Sequence, residues 1–112
     1  MIHIELNAAQ SAAGKCRLSF VVENALATPV EALKLDLAIF GRDGAFQRRL
    51  LTEMGPVRVQ KTVVRIFEIE GDCAGLGSVL VNDVTACAPA ALGDCLEKVS
   101  LSSRVEGLRL FK

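Results

Sequence analysis

Three of the chain's four cysteines fall within residues 72–95, DCAGLGSVLVNDVTACAPAALGDC, around one apolar run. Thiols so placed can act as a redox couple, ligate a metal or cross-link the fold. A redox couple needs Cys-x-x-Cys, which does not occur. Zinc sites need short pairs of the same kind, whereas the closest cysteines, Cys87 and Cys95, have seven residues between them. Cross-linking fits the spacing best. Four free thiols packed as small hydrophobes are the alternative for a reducing compartment.

His3 is the only histidine. Behind a free amine, Met-Ile-His carries the donors of a square-planar copper or nickel chelate. The plain alternative is an exposed side chain on a first strand. A lone histidine on that strand is not expected to meet a serine or cysteine, so no nucleophile–base pair is assigned. Asp36, Asp43, Asp72, Asp83 and Asp94 are scattered along the chain. Asn82-Asp83, set among apolar residues, is where a partly buried polar group is expected, used structurally rather than as a base. Gly71, Gly75 and Gly77 precede a strand rather than a helix, which excludes a phosphate-binding loop. No catalytic residue, cofactor or metal ligand is assigned, and the chain is not expected to be an enzyme.

The surface candidate is GRDGAFQRR. Phe40 falls on the polar side of its strand, and Phe46 stands just past the Asp43-Gly44 turn, with Arg42, Arg48 and Arg49 close by. An exposed aromatic ringed by arginines has the composition of an interface anchor. The competing expectation is that Phe46 caps the open end of the core and the arginines are merely solvated.

The elements that must position these residues are strands. Period-2 alternation puts Ile2, Ile4 and Leu6 on one face, then Cys16, Leu18, Phe20 and Val22, then Leu33, Leu35, Leu37 and Ile39 with Lys34 and Asp36 outward. The stretch NAAQSAAGK is expected to be a loop. Asp43-Gly44 signals a hairpin, and AFQRRLLTE is its returning strand, with facing left open because paired arginines and leucines break alternation. MGPV turns the chain before KTVVRIFEI, EGDCAGLG is a loop, and SVLVNDVTA and KVSLSSRVEGLRLF supply the last strands. About seven strands punctuated by turns predict an all-β, antiparallel two-sheet sandwich of immunoglobulin or fibronectin III type, with residues 1–112 as a single domain.

Counting strand directions through such a sandwich puts Cys16 and Cys73 at one end, and Cys87 and Cys95 at the other. Of the three connectivities open to four cysteines, this favours Cys16–Cys73 with Cys87–Cys95.

Composition narrows the partners. Lysine plus arginine equals aspartate plus glutamate at 13 each, and tryptophan and tyrosine are absent. Without a basic patch interleaved with stacking aromatics, nucleic acid is excluded as a partner. The missing aromatics also argue against a carbohydrate platform. No apolar run is long enough for a membrane helix, so no membrane insertion is expected. The start, MIHIELNAAQ, lacks the charged and apolar regions of a signal peptide, so an exported form would have lost its signal. A neutral chain has little repulsion to keep it monomeric, which favours a protein partner or a homo-oligomer.

Residues 20–69, FVVENALATPVEALKLDLAIFGRDGAFQRRLLTEMGPVRVQKTVVRIFEI, resemble the bacterial FxLYD-type domain. The shared parts are Val22-Glu23-Asn24, Phe40 through Gly44, and Gly55-Pro56 ahead of TVVRIF. IFGRDG stands where that family prefers Tyr-Asp, and the cysteines lie outside the pattern. The remainder looks like small secreted proteobacterial proteins. The resemblance implies a bacterial extracytoplasmic sandwich, periplasmic or secreted, that binds or assembles rather than catalyses. The expected function is an accessory module of a larger envelope or secreted complex, with a periplasmic small-ligand or metal-ion binder as the alternative.

Overall fold

Ile2, Ile4 and Leu6 are buried along β1 (Ile2–Ala12), and Cys16, Leu18, Phe20 and Val22 are buried along β2 (Lys15–Asn24). This is the expected alternation: side chains two apart share a face, and the apolar face turns inward. The computed structural model describes all 112 residues, Met1 to Lys112. It continues through β3 (Ala32–Gly41), β4 (Phe46–Glu53), β5 (Thr62–Glu70), β6 (Leu76–Ala88), the single-turn helix α1 (Cys95–Lys98), β7 (Val99–Ser103) and β8 (Arg109–Phe111).

The strands form two four-stranded sheets, ordered β5-β2-β1-β7 and β4-β3-β6-β8. The chain is thus the all-β two-sheet sandwich expected, with eight strands. A core of 23 buried residues lies between the sheets. Leu33, Leu35, Leu37 and Ile39 all point into it, so alternation prevails over the helix propensity of the Ala-Leu-Lys run.

Two expectations need correction. The sheets are not wholly antiparallel: β7 pairs with β1 in parallel, and β8 with β6 in parallel. Parallel neighbours require a crossover: after β6 the chain passes through residues 89–98, with a 3-10 turn and α1, to β7 in the other sheet, and returns to lay β8 beside β6. Residues 7–12 are strand rather than loop. Their small side chains carry no apolar signal, but their backbone pairs with β2 out to Ala12 opposite Lys15, past a bulge at Asn7. The turn is only Ala13-Gly14, with φ of 53° and 78°. Two successive left-handed residues are what a tight hairpin turn demands.

β2 is fastened at both ends. At one end Cys16 is bonded to Cys73, and Ser11 supports the junction: its hydroxyl donates to Asp72 and accepts from the Cys73 amide. At the other end Asn24 is fully buried. Its amide nitrogen donates to the carbonyls of Thr28 (3.0 Å) and Val57 (3.1 Å), and its Oδ1 accepts from the Leu26 amide (2.9 Å). One side chain thereby replaces water for the Thr28 carbonyl and the Leu26 amide and adds a second donor to the Val57 carbonyl, which also accepts from the Val30 amide.

The second disulfide joins Cys87 to Cys95, leaving no free cysteine. Both bonds follow from the strand directions: Cys16 starts β2 beside the end of β5, and Cys87 ends β6 just before the crossover.

The two bonds differ in the chain they close, with sequence separations of 57 and 8 residues. The chain-entropy relation then gives about 4 kcal/mol for Cys16–Cys73 and about 2.5 kcal/mol for Cys87–Cys95. Replacing each pair by alanine and measuring urea unfolding should show the larger loss for the first pair. Equal or reversed losses would mean that restriction of the unfolded chain is not how these bonds act.

Candidate functional site

The outward face of the β4-β3-β6-β8 sheet carries the hairpin residues singled out in the sequence. Its geometry starts at one bulge. Ile39 pairs with Arg48, but Phe40 pairs with Phe46, so Gln47 is an extra residue on β4. With all residues paired one to one, alternation from Thr52 and Leu50 through Arg48 would send Phe46 toward the core. A one-residue slip reverses the face. Phe46 instead stands outside, 56% exposed, edge-on to Phe40 with ring centroids 6.0 Å apart. It does not cap the core.

The base of the hairpin is tightly seated. The Gly41 amide donates to the Ala45 carbonyl, Gly44 takes φ of 82°, and Asp43 accepts from the Ala45 amide. β6 begins directly beneath, where a Cβ on Gly77 would lie 2.5 Å from the Gly41 carbonyl oxygen; only glycine fits.

The register maps the face row by row. Phe46 and Phe40 lead to Ser78 and Arg109; the next row is Arg49, Ala38, Leu80 and Phe111. The Arg109 guanidinium lies 4.1 Å from the Phe111 ring centroid. In the row beyond, Leu51, at 67% the most exposed large apolar side chain, stands opposite Asp36. An outward sheet face is ordinarily polar where it meets water; this one carries an aromatic and aliphatic patch with Arg49 and Arg109 at its borders, and the charged Lys34–Glu53 row lies beyond Leu51.

Of the arginines proposed for an interface, only Arg49 shares that face with the phenylalanines. Arg48 is exposed but lies opposite Ile39, on the core-facing side of the edge strand. Arg42 is exposed and turned back, its Nε donating to the Ala74 carbonyl, so it ties the hairpin to the loop of the first disulfide. The sequence places these residues close together in the chain but does not reveal the bulge that sorts them.

Asp36 corrects a second expectation. It points outward, yet is only 3% exposed. Arg49 clamps it with Nε to Oδ1 at 3.0 Å and Nη2 to Oδ2 at 2.8 Å, and the Asn82 amide adds a bond of 3.1 Å to Oδ2. The buried carboxylate is therefore Asp36, whereas Asn82 and Asp83 are exposed. The hydrogen bonds from Arg49 and then Asn82 favour the charged carboxylate and hold its pKa below the ordinary 3.8.

The other outward face differs. It carries cross-strand pairs of opposite charge, Lys15–Glu70 at 3.8 Å and Arg17–Glu68 at 3.7 Å, with Val64 and Ile66 exposed on β5. It also joins residues that the sequence kept apart. The parallel β1–β7 register sets Ser100 beside His3, whose Nδ1 hydrogen-bonds the Ser100 hydroxyl. On the other side Glu23 Oε1 is 3.9 Å from His3 Nε2, beyond hydrogen-bonding reach. A serine–histidine pair thus exists after all. The parallel strand that brings it together, 97 residues away, has no local signal. The carboxylate does not orient the imidazole, and both side chains are about half exposed, where such pairs contribute little.

No three metal-ligating side chains converge anywhere. The depressions in the surface are open. The largest, about 570 Å³, is lined mainly by Ser102, Ser103 and the 105–110 segment. Comparison with protein-family models, with curated proteins and with solved structures finds no match for this chain.

The Asp36 clamp has a pH signature. Its pKa is lower in the folded than in the unfolded chain, so its stabilisation is present above about pH 4 and is lost as pH falls through the folded value. Asp36→Asn should therefore flatten the loss of stability below pH 4 seen in wild type, measured by urea unfolding at stepped pH. An unchanged acid limb would mean that the clamp does not favour the charged form.

Proposed function

We propose that the protein is a non-catalytic β-sandwich module that acts by presenting a surface, as an accessory subunit or domain of a larger envelope or secreted assembly. The observation that carries this reading is the Phe40–Phe46 pair. A bulge turns an aromatic ring out to water on a face that also exposes Leu51, with Arg49 and Arg109 at its borders. Nothing within the chain covers this cluster, and rigid aromatics beside arginine are the residues from which binding hot spots are built.

The two disulfides support an oxidising compartment. The resemblance of residues 20–69 to FxLYD-type domains points the same way. Asn24, part of that resemblance, is the residue whose side chain joins Thr28, Val57 and Leu26.

Phe46→Ala separates this reading from a structural role. Phe46 is exposed, so the variant should unfold within about 0.5 kcal/mol of wild type. Partner proteins retained by tagged wild type in its native host should be lost from the variant. Undiminished retention per folded molecule would place the working surface elsewhere. A loss of several kcal/mol in stability would make Phe46 a packing residue.

A further inference from the structure

We propose that β4 pairs antiparallel with β4 of a second copy about a two-fold axis at Leu51, joining two β4-β3-β6-β8 sheets edge to edge. The proposal rests on the surface-presenting role above and names one partner for it, another copy of this chain.

β4 is an edge strand, paired with β3 alone. The Met54 amide donates to the Leu33 carbonyl at 2.9 Å. Because antiparallel ladders alternate, Thr52 and Leu50 also bond toward β3, and Arg49, Leu51 and Glu53 aim their N–H and C=O groups away from it. Such a row is a template for another strand. The opposite edge strand on that side of the sandwich is guarded: Arg65 of β5 turns inward and donates to the carbonyls of Met54 (3.1 Å) and Pro56 (2.9 Å). Along 49–53 the most exposed apolar side chain is instead Leu51.

The side chains select the second copy and the register. Pairing about Leu51 sets Leu51 against Leu51 of the other copy, and Arg49 against its Glu53, twice by symmetry. Each of the three residues opposes one whose backbone groups also face the free edge, so the ladder closes without orphans. The charged groups have capacity left. Arg49 gives Nε and Nη2 to Asp36, which leaves Nη1. Glu53 accepts from the Leu33 and Gly55 amides through Oε2, which leaves Oε1. The alternative two-fold at Leu50 sets Arg49 against Leu51 and pairs no charges.

The test is sedimentation equilibrium of the full disulfide-bonded chain between about 1 μM and 1 mM. Wild type should move from 12.0 kDa toward twice that mass. Leu51→Lys and Leu51→Glu each set like charges at the axis and should weaken the dimer at least tenfold, while an equimolar mixture of the two should restore it. Leu51→Cys should link copies covalently on air oxidation, since hydrogen-bonded antiparallel partners lie about 5.5 Å apart at Cα. A wild type that stays monomeric, or single variants that dimerise as wild type does, would overturn the proposal. A Leu51→Glu dimer tighter than wild type would overturn this axis in favour of the one at Leu50. Phe46→Ala should leave the dimer intact, because Phe46 lies beyond the paired residues. If it loses native partners while wild type is monomeric, the surface-presenting role stands and the self-pairing fails.

Discussion

β2 carries Leu18, Phe20 and Val22 into the centre of the core and is held at both ends, by the Cys16–Cys73 bond and by the Asn24 amide. Most of the first sheet is built on it: β1 and β5 pair with its two edges, only β7 attaches elsewhere, to β1, and the segments around Thr28 and Val57 are drawn in by Asn24. Val57 in turn bridges Val30, at the entry to β3. The fastening of β2 thus also sets where the second sheet starts. A chain with only five phenylalanines and no tryptophan has few large rings with which to build a core. Aliphatic alternation and covalent closure make up the difference.

The same economy leaves both outward faces without a covering layer, since the only α-helix is the four-residue α1. On the first sheet, pairs of opposite charge occupy much of that face. On the second, the Asp36–Arg49 clamp uses up the one buried carboxylate and ties edge strand β4 to β3; the Lys34–Glu53 row lies beyond it, and Phe40, Phe46, Leu51, Leu80 and Phe111 leave an apolar patch. Burying a carboxylate under an arginine costs desolvation, and the bidentate geometry with Asn82 offsets it. The clamp holds the strand that presents Phe46 and Leu51. Removing apolar area from water needs no specific partner geometry, whereas the bulge at Gln47 and the cationic border do impose one.

Much of this architecture was legible in strict alternation. β2 and β3 show it over four apolar positions each, and the burial of all eight follows. The Asp43-Gly44 turn was legible because a left-handed glycine is a chemical requirement there. Three features were not. The extension of β1 through Ala8, Ala9 and Ala12 depends on backbone pairing with β2, to which small side chains give no signal. The facing of Phe46 depends on a single extra residue in the ladder. The Ser100–His3 contact and the two parallel pairings depend on where the chain returns after its crossover, a choice made by tertiary closure rather than by local pattern.

Amide hydrogen exchange, compared between the isolated domain and the protein in its native assembly, bears most directly on the claim that the second sheet carries the working surface. If it does, peptides spanning residues 40–53 exchange more slowly in the assembly, and those spanning 62–70 on β5 are unchanged. Unaltered exchange across 40–53, or protection gathered around the exposed Val64 and Ile66 instead, would contradict it.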